Sequence, residues 1–158
     1  MKIAFYTGGE IDVNAASLEG FRFDGMSLHR VNLEKAILND ASFVETNLRG
    51  ALLNNAEAKR ANFSSASLIT AFLEPANLRG SIFVKCRLNG ARFDYAELDQ
   101  ADFTDAEISN TSFRGASLMG AVMLSESLVA ADFAEARFND NTVWPTGFRP
   151  LDKGAIRL

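Results

Sequence analysis

Cysteine, histidine and tryptophan each occur only once among the 158 residues of this chain, and proline occurs three times. A single cysteine excludes an internal disulfide framework, and a single histidine excludes a histidine cluster for a metal ion. The longest apolar run near the N-terminus, residues 3–6, is too short for a signal peptide or a membrane span. We therefore expect a soluble, cytoplasmic protein with no membrane contact, no metal ion and no cofactor.

Positive charge is also scarce, because 16 lysines and arginines stand against 20 aspartates and glutamates, which gives a net charge of −4. Direct binding of nucleic acid through bulk positive charge is therefore disfavoured. The chain is instead rich in apolar residues, at 47%, and it contains 13 phenylalanines. This content excludes a disordered chain and is sufficient for one domain with a substantial core.

Residues 11–140 form an unbroken series of five-residue units. The third position is leucine or phenylalanine in nearly every unit, the first is mostly alanine, and the second favours serine, asparagine or aspartate. On an α-helix, residues five apart would be displaced around the axis by about 140° per unit. On a flat strand, residues five apart would point to opposite faces. We therefore predict that the chain bends once per unit. Positions one and three then point inward, position two points outward, and positions four and five form an outward corner.

The phenylalanines indicate how many units close one coil. They recur every four units, as in Phe23, Phe43 and Phe63, and opposite charges such as Asp40 and Arg60 recur at the same interval. This interval predicts a four-sided coil. Residues 11–140 would then make about six and a half coils, each packed only against its neighbours.

Two units show the pattern most clearly, namely Ala-Asn-Leu-Arg-Gly at 76–80 and Ala-Asp-Phe-Thr-Asp at 101–105. This pattern resembles that of the pentapeptide repeat proteins, and the resemblance covers about four-fifths of the chain. It implies an all-β fold, a right-handed quadrilateral β-helix with four pentapeptides per coil. The segment 142–148 also resembles the closing segment of many members of that family.

We accordingly expect three parts in the chain: an N-terminal cap at 1–10, a β-helix at 11–140 and a C-terminal capping tail at 141–158. Exposed ends of a stack of strands invite aggregation, so both ends need cover. Three aromatic residues are the candidates for covering them: Phe5, Trp144 and Phe148. Large residues replace alanine at the first position of the earliest units, which predicts wider first coils or a part in the cap: Phe21, Met26 and Val31.

Negative charge is concentrated in residues 93–140, which carry two basic and ten acidic side chains. An acidic surface of this kind is suited to docking a basic partner. The candidate acidic docking face consists of eight residues: Asp94, Glu97, Asp99, Asp102, Asp105, Glu107, Asp132 and Glu135.

The resemblance implies a function that is not catalytic. A scaffold that binds an unspecified protein partner is the first hypothesis. Some pentapeptide repeat proteins resemble duplex DNA in width and charge, bind DNA gyrase or topoisomerase IV, and protect these enzymes from quinolones or natural poisons. A DNA-mimicking binder of a type II topoisomerase is therefore the alternative, and an enzyme is a remote third.

Apolar residues at outward positions form a second candidate surface, since a clustered set of exposed apolar side chains indicates a contact region. The four-unit interval places most of them on one side of the rod. We expect them to form a contact patch, or a homodimer interface through the C-terminal coil: Ile82, Val84, Met119, Val122, Leu124 and Val129.

No residue combination predicts catalysis. His29 occupies a corner and should be exposed, and Cys86 replaces alanine at an inward position, which is expected of a small buried thiol. Glu126 is the one charged residue at an inward position, where an unpaired carboxylate is costly. We expect either a local irregularity there or a partner supplied by the tail.

Overall fold

The fold is all-β, and isolated bridges rather than long strands make most of its pairing. The computed structural model describes residues 1–125 and 127–158. Through the repeat, a five-residue unit typically has a bridge residue at its second position and a turn at its fourth and fifth positions. The chain therefore bends once per unit, as the five-residue period predicts, because a turn ends each extended piece after a few residues.

Successive coils stack through parallel pairing between corresponding residues, for example Asn62 with Ile82 and Ile82 with Asp102. The Phe63 N–H donates to the Ile82 carbonyl at 2.7 Å, and the Ile82 N–H donates to the Ala61 carbonyl at 3.0 Å. The same two hydrogen bonds recur along the repeat. The result is an all-β solenoid, in which outward side chains at corresponding positions of successive coils form columns along the stack.

Two ladders of stacked phenylalanines fill the centre of the solenoid. Phe63 and Phe83 stack with ring centroids 5.0 Å apart, and Phe93 and Phe113 stack at 5.3 Å. The two ladders meet edge to face where Phe83 and Phe93 approach to 5.5 Å. These side chains are fully buried, and positions one and three are buried throughout residues 41–125. Each aromatic pair contributes about 0.5–1.5 kcal/mol beyond its burial.

Small polar residues at the inward first position are satisfied by the neighbouring coil. The hydroxyl of Thr46 donates to the Phe23 carbonyl at 2.8 Å, and the thiol of Cys86 donates to the Phe63 carbonyl. In both cases the acceptor belongs to the preceding coil. A hydroxyl or thiol can therefore replace the methyl group of alanine without leaving a buried polar group unpaired.

A hairpin covers the N-terminal end of the stack. Strand β1 (Lys2–Ala4) pairs antiparallel with strand β2 (Glu10–Asp12). Phe5 follows β1, makes an antiparallel bridge to Val31 and packs half-buried against the core. Val31 is fully buried. The other two large residues at position one in the first coils are half-buried: Phe21 and Met26.

The regular spacing of hydrogen bonds changes near the C-terminal end. The Phe103 N–H donates to the Val122 carbonyl, whereas the Met123 N–H, at the same position one coil later, donates to the Val143 carbonyl, both at 2.8 Å. The second interval is longer than the first by a single residue. The pairing of Ser117 with Arg137 still has the regular interval, so the extra residue lies between Arg137 and Val143. A 3₁₀ helix, Leu128–Ala130, precedes this change in the same coil. Leu128 stays buried at its third position, so the inward pattern continues through the 3₁₀ helix.

The tail adds a final layer to the stack. Strand β3 (Arg137–Phe138) pairs parallel with strand β4 (Ile156–Arg157), and a second 3₁₀ helix, Pro150–Lys153, connects towards β4. The separation of the pairing partners Arg137 and Ile156 along the chain is close to the length of a regular coil. The tail therefore continues the winding of the solenoid.

Two aromatic residues of the tail lie against the end of the phenylalanine ladder. The rings of Trp144 and Phe148 lie 5.4 Å and 5.8 Å from the ring of Phe133, both edge to face, and 5.3 Å from each other. Their contacts extend the aromatic core into the tail. Glu126, for which the sequence predicts an irregularity, lies outside the described residues.

Candidate interaction surfaces

The acidic residues of the C-terminal half do not share one face of the solenoid. Glu97 pairs with Ser117, whereas Asp102 pairs with Val122, so the two carboxylates belong to different columns. Glu107 lies in a third column, opposite Arg87. Consecutive units therefore carry these carboxylates around a coil, and the candidate acidic docking face extends over several columns.

Arginines neutralise several of these carboxylates. The Nε atom of Arg79 lies 3.4 Å from a carboxylate oxygen of both Glu97 and Asp99, and that of Arg87 lies 3.8 Å from Glu107. These ion pairs are exposed, so each stabilises the fold by about 0–1 kcal/mol. Their larger consequence is electrostatic, because a neutralised carboxylate attracts a basic partner less strongly.

The remaining acidic residues differ in how much charge they present. Arg114 pairs with Asp132 at 3.4 Å. Asp102 accepts hydrogen bonds from the backbone N–H and the hydroxyl of Thr104, at 2.9 and 2.6 Å. Within the described part of the chain, three of the eight candidate acids have no ion pair: Asp102, Asp105 and Glu135.

Asp94 is a structural carboxylate and not an exposed one, with 7% of its surface accessible. Arg92 lies 3.0 Å from Asp94 and 3.2 Å from Glu74, and the hydroxyl of Ser112 donates to Asp94. Burial acts to raise the pKa of Asp94, but the hydrogen bonds from Ser112 and Arg92 outweigh it and lower that pKa. Burial and the neighbouring Asp94 raise the pKa of Glu74. Asp94 thus holds charge inside a cluster and is withdrawn from any docking surface.

The outward apolar residues divide into two groups. Ile82 and Val122 share a column, but Asp102 pairs with both and separates them. Val84 is half-buried in the coil of Ile82. Two further residues lie in other columns: Met119, which is half-buried, and Val129, which is 72% exposed.

The tail enlarges the apolar surface at the C-terminal end. Val143 pairs with Val122 and is 44% exposed, and Leu124, which follows Val122 on the same side, is 40% exposed. We call these three residues the C-terminal apolar surface. The sequence did not indicate Val143, because the five-residue pattern ends at 140 and the tail was expected to cover this region.

Tyr95 is a second residue that the sequence analysis missed. It occupies the fifth position of its unit and is 64% exposed. Its ring lies over Gly115, where an added Cβ would be 2.6 Å from two ring atoms. A tyrosine at position five, with a glycine at the same position of the next coil, is the sequence signal that could have identified this arrangement.

The residues with reactive side chains are placed as the sequence predicts. Cys86 is fully buried, and burial raises the pKa of its thiol to about 12, so the thiolate nucleophile does not form near neutral pH. His29 is exposed. No group of three or more potential metal ligands occurs in residues 1–125 and 127–158. Over the same ranges, no helix is long and apolar enough to cross a bilayer.

A solenoid built from five-residue units defines the class of this protein, and the family comparison agrees. The family model described as a pentapeptide repeat region matches residues 16–93 and again residues 56–133. The chain belongs to the pentapeptide repeat family. A comparison with curated protein sequences finds no match.

Solved structures of pentapeptide repeat proteins are similar to this chain. A pentapeptide repeat protein of Nostoc PCC 7120, alr5209, is 28% identical over 74% of this chain and 84% of its own, with a TM-score of 0.50. HetL of Nostoc sp. strain PCC 7120, involved in heterocyst differentiation regulation, is 20% identical over 89% and 84%, with a TM-score of 0.49. QnrB1, a plasmid-mediated fluoroquinolone resistance protein, is 19% identical over 94% and 86%, also with a TM-score of 0.49.

Proposed function

We propose that this chain is a non-catalytic protein-interaction scaffold that associates with a second copy of itself through its C-terminal end. The carrying observation is the C-terminal apolar surface, where Val122, Leu124 and Val143 lie together on the outside of the last coils. Contiguous apolar side chains on a protein surface mark contact sites, whereas scattered ones do not. We also propose that the solenoid is a right-handed quadrilateral β-helix of about six and a half coils. The proposed location of the protein is the cytoplasm.

The end of the tail supports self-association. The N–H groups of Ile156 and Leu158 donate to the carbonyls of Ala136 and Phe138, at 2.7 and 2.9 Å. Because backbone groups alternate in direction along a strand, the N–H and carbonyl groups of Arg157 point away from β3, to the other edge of β4. Ile156 and Leu158 are also exposed. A strand edge with apolar side chains is a surface that a second copy can cover.

Sedimentation velocity tests this proposal. The wild-type chain is expected to form a dimer, and the double variant Val143→Lys/Ile156→Lys is expected to be monomeric, because lysine at these positions would have to be desolvated in the interface. Ile37→Lys is the matched control, since Ile37 is exposed but lies in the N-terminal half. A wild-type chain that stays monomeric at high concentration would contradict self-association, and so would a dimeric double variant.

Binding to a type II topoisomerase is the second candidate. The observation that favours it is the distribution of carboxylates over the columns of one coil, at 97–107, because negative charge then faces several directions, as it does on duplex DNA. The ion pairs with Arg79 and Arg87 reduce that charge.

A gyrase supercoiling assay with added protein, with and without a quinolone, tests the second candidate. Dose-dependent inhibition or drug protection is expected, and the variant Asp102→Asn/Asp105→Asn/Glu135→Gln should weaken it, since these acids have no ion pair among the described residues. Glu45→Gln is the control, because Glu45 is exposed in the N-terminal half and also has no ion pair among the described residues. An equal effect of the triple variant and the wild type would rule out recognition through this charge.

A further inference from the structure

Two of the arginines without an ion pair lie together near the N-terminal end. Most arginines are paired, as Arg60 is with Asp40 at 2.7 Å. Arg30 and Arg49 have no carboxylate within ion-pair distance among residues 1–125 and 127–158. The Arg30 N–H donates to the Arg49 carbonyl at 2.9 Å, so the two residues lie in neighbouring coils. His29 immediately precedes Arg30 and is exposed, as both arginines are.

The side chain of Arg30 is held in place by its surroundings. Its guanidinium carbon lies 5.8 Å from the centroid of the Tyr6 ring, and the Tyr6 N–H donates to the Arg30 carbonyl at 3.2 Å. Its Cγ crosses Gly50, where an added Cβ would be 3.4 Å away. A guanidinium stacked on an aromatic ring loses less freedom on binding than a freely rotating one. We call Tyr6, His29, Arg30 and Arg49 the basic corner.

The acidic residues of the nearby hairpin are engaged with other cations. Glu10 pairs with Lys2 at 3.0 Å, and Asp12 pairs with the N-terminal amino group at 3.3 Å. The positive charge of the basic corner is therefore not cancelled by the hairpin that covers this end of the stack. In a chain of net charge −4, this is a local concentration of positive charge.

We propose that the basic corner binds a short acidic segment of a partner protein. Guanidinium groups recognise carboxylates through paired hydrogen bonds, and arginines in neighbouring coils, about 4.8 Å apart along the stack, can engage two carboxylates of one segment. A long polyanion such as nucleic acid is disfavoured, because it would extend towards residues 93–140, where ten acidic side chains outnumber two basic ones. This surface lies at the opposite end from the C-terminal apolar surface and does not depend on it.

Fluorescence anisotropy with a labelled hexaglutamate peptide at low salt tests the proposal. The variant Arg30→Ala/Arg49→Ala is expected to bind at least about tenfold more weakly than the wild type, and Tyr6→Ala about threefold more weakly. Arg137→Ala is the matched control, because Arg137 also lacks an ion pair in the described part of the chain but lies near the C-terminal end, and it should bind like the wild type.

The substituted side chains are exposed, so circular dichroism is expected to show the same fold for every variant. Absence of peptide binding by the wild type would overturn the proposal, as would equal weakening by Arg137→Ala. A single-stranded oligonucleotide with six phosphates is the competing probe. Tighter binding of the oligonucleotide than of the peptide, lost in Arg30→Ala/Arg49→Ala, would replace the acidic segment with nucleic acid and refute the proposal as stated.

Discussion

The middle of the solenoid and its C-terminal end differ in the regularity of their hydrogen bonds. In the middle, most units repeat the hydrogen bonds of the preceding coil, and the hydroxyl of Thr46 at an inward position donates to a backbone carbonyl. At the C-terminal end the interval shifts by a single residue at Val143, a 3₁₀ helix appears, and apolar side chains remain outside. The regular interval thus holds through the middle of the solenoid and changes at the C-terminal end, where Val122, Leu124 and Val143 lie together.

The largest expected loss of stability comes from removing a core phenylalanine in the middle of the solenoid, compared with one at its C-terminal end. Phe63→Ala should destabilise the fold by about 3–5 kcal/mol, because Phe63 is fully buried between two stacked rings. Phe148→Ala should cost only about 1–2 kcal/mol, since Phe148 is half-buried in the tail. Urea unfolding measures both. A cost below about 1 kcal/mol for Phe63→Ala would mean that the ladder is not the core.

A smaller effect on stability is expected in the cluster of Glu74, Arg92 and Asp94. Burial opposes ionisation of Asp94, yet its hydrogen bonds lower its pKa. The ionised form therefore stabilises the fold above the ordinary carboxyl pKa, and this stabilisation is lost as the pH falls through the lowered value. Asp94→Asn should cost about 1–3 kcal/mol at neutral pH and less in acid, measured by urea unfolding across pH.

Glu74 is a control for Asp94, because its pKa is shifted in the opposite direction. Its pKa is raised by burial and by Asp94. Its contribution to stability is present below its ordinary pKa and is lost as the pH rises through the raised value. Glu74→Gln should therefore gain stability relative to the wild type as the pH rises from acid to neutral. Parallel pH trends for Glu74→Gln and Asp94→Asn would show that the two carboxylates do not interact as described.

The smallest expected effect on stability comes from replacing glycine at two corners, one with and one without a side chain packed over it. Gly25 and Gly115 both have positive φ, 68° and 63°, but only at Gly115 would a Cβ approach the Tyr95 ring. Each change to alanine should cost about 1 kcal/mol for the left-handed backbone. Gly115→Ala should cost about 0.5–1 kcal/mol more, because the ring must move. Thermal unfolding would show equal costs if Tyr95 does not pack there.

The interior could be predicted from the sequence, whereas the surfaces largely could not. A strict period fixes which residues point inward, so Phe63 and Cys86 were placed in the core by spacing alone. The acidic residues were grouped by proximity in sequence, but a coil turns through all its sides within four units and separates Glu97 from Asp102. Val143 lies beyond the repeat, and its pairing depends on a shift of the interval that has no signature in the five-residue pattern.

Hydrogen–deuterium exchange on dilute and concentrated protein tests the central claim most directly. Self-association through the C-terminal end predicts that exchange slows with concentration in residues 122–124, 143 and 156–158, while residues 41–80 exchange at the same rate in both samples. Exchange rates that do not depend on concentration at the C-terminal end, or that slow in residues 41–80 instead, would contradict this account.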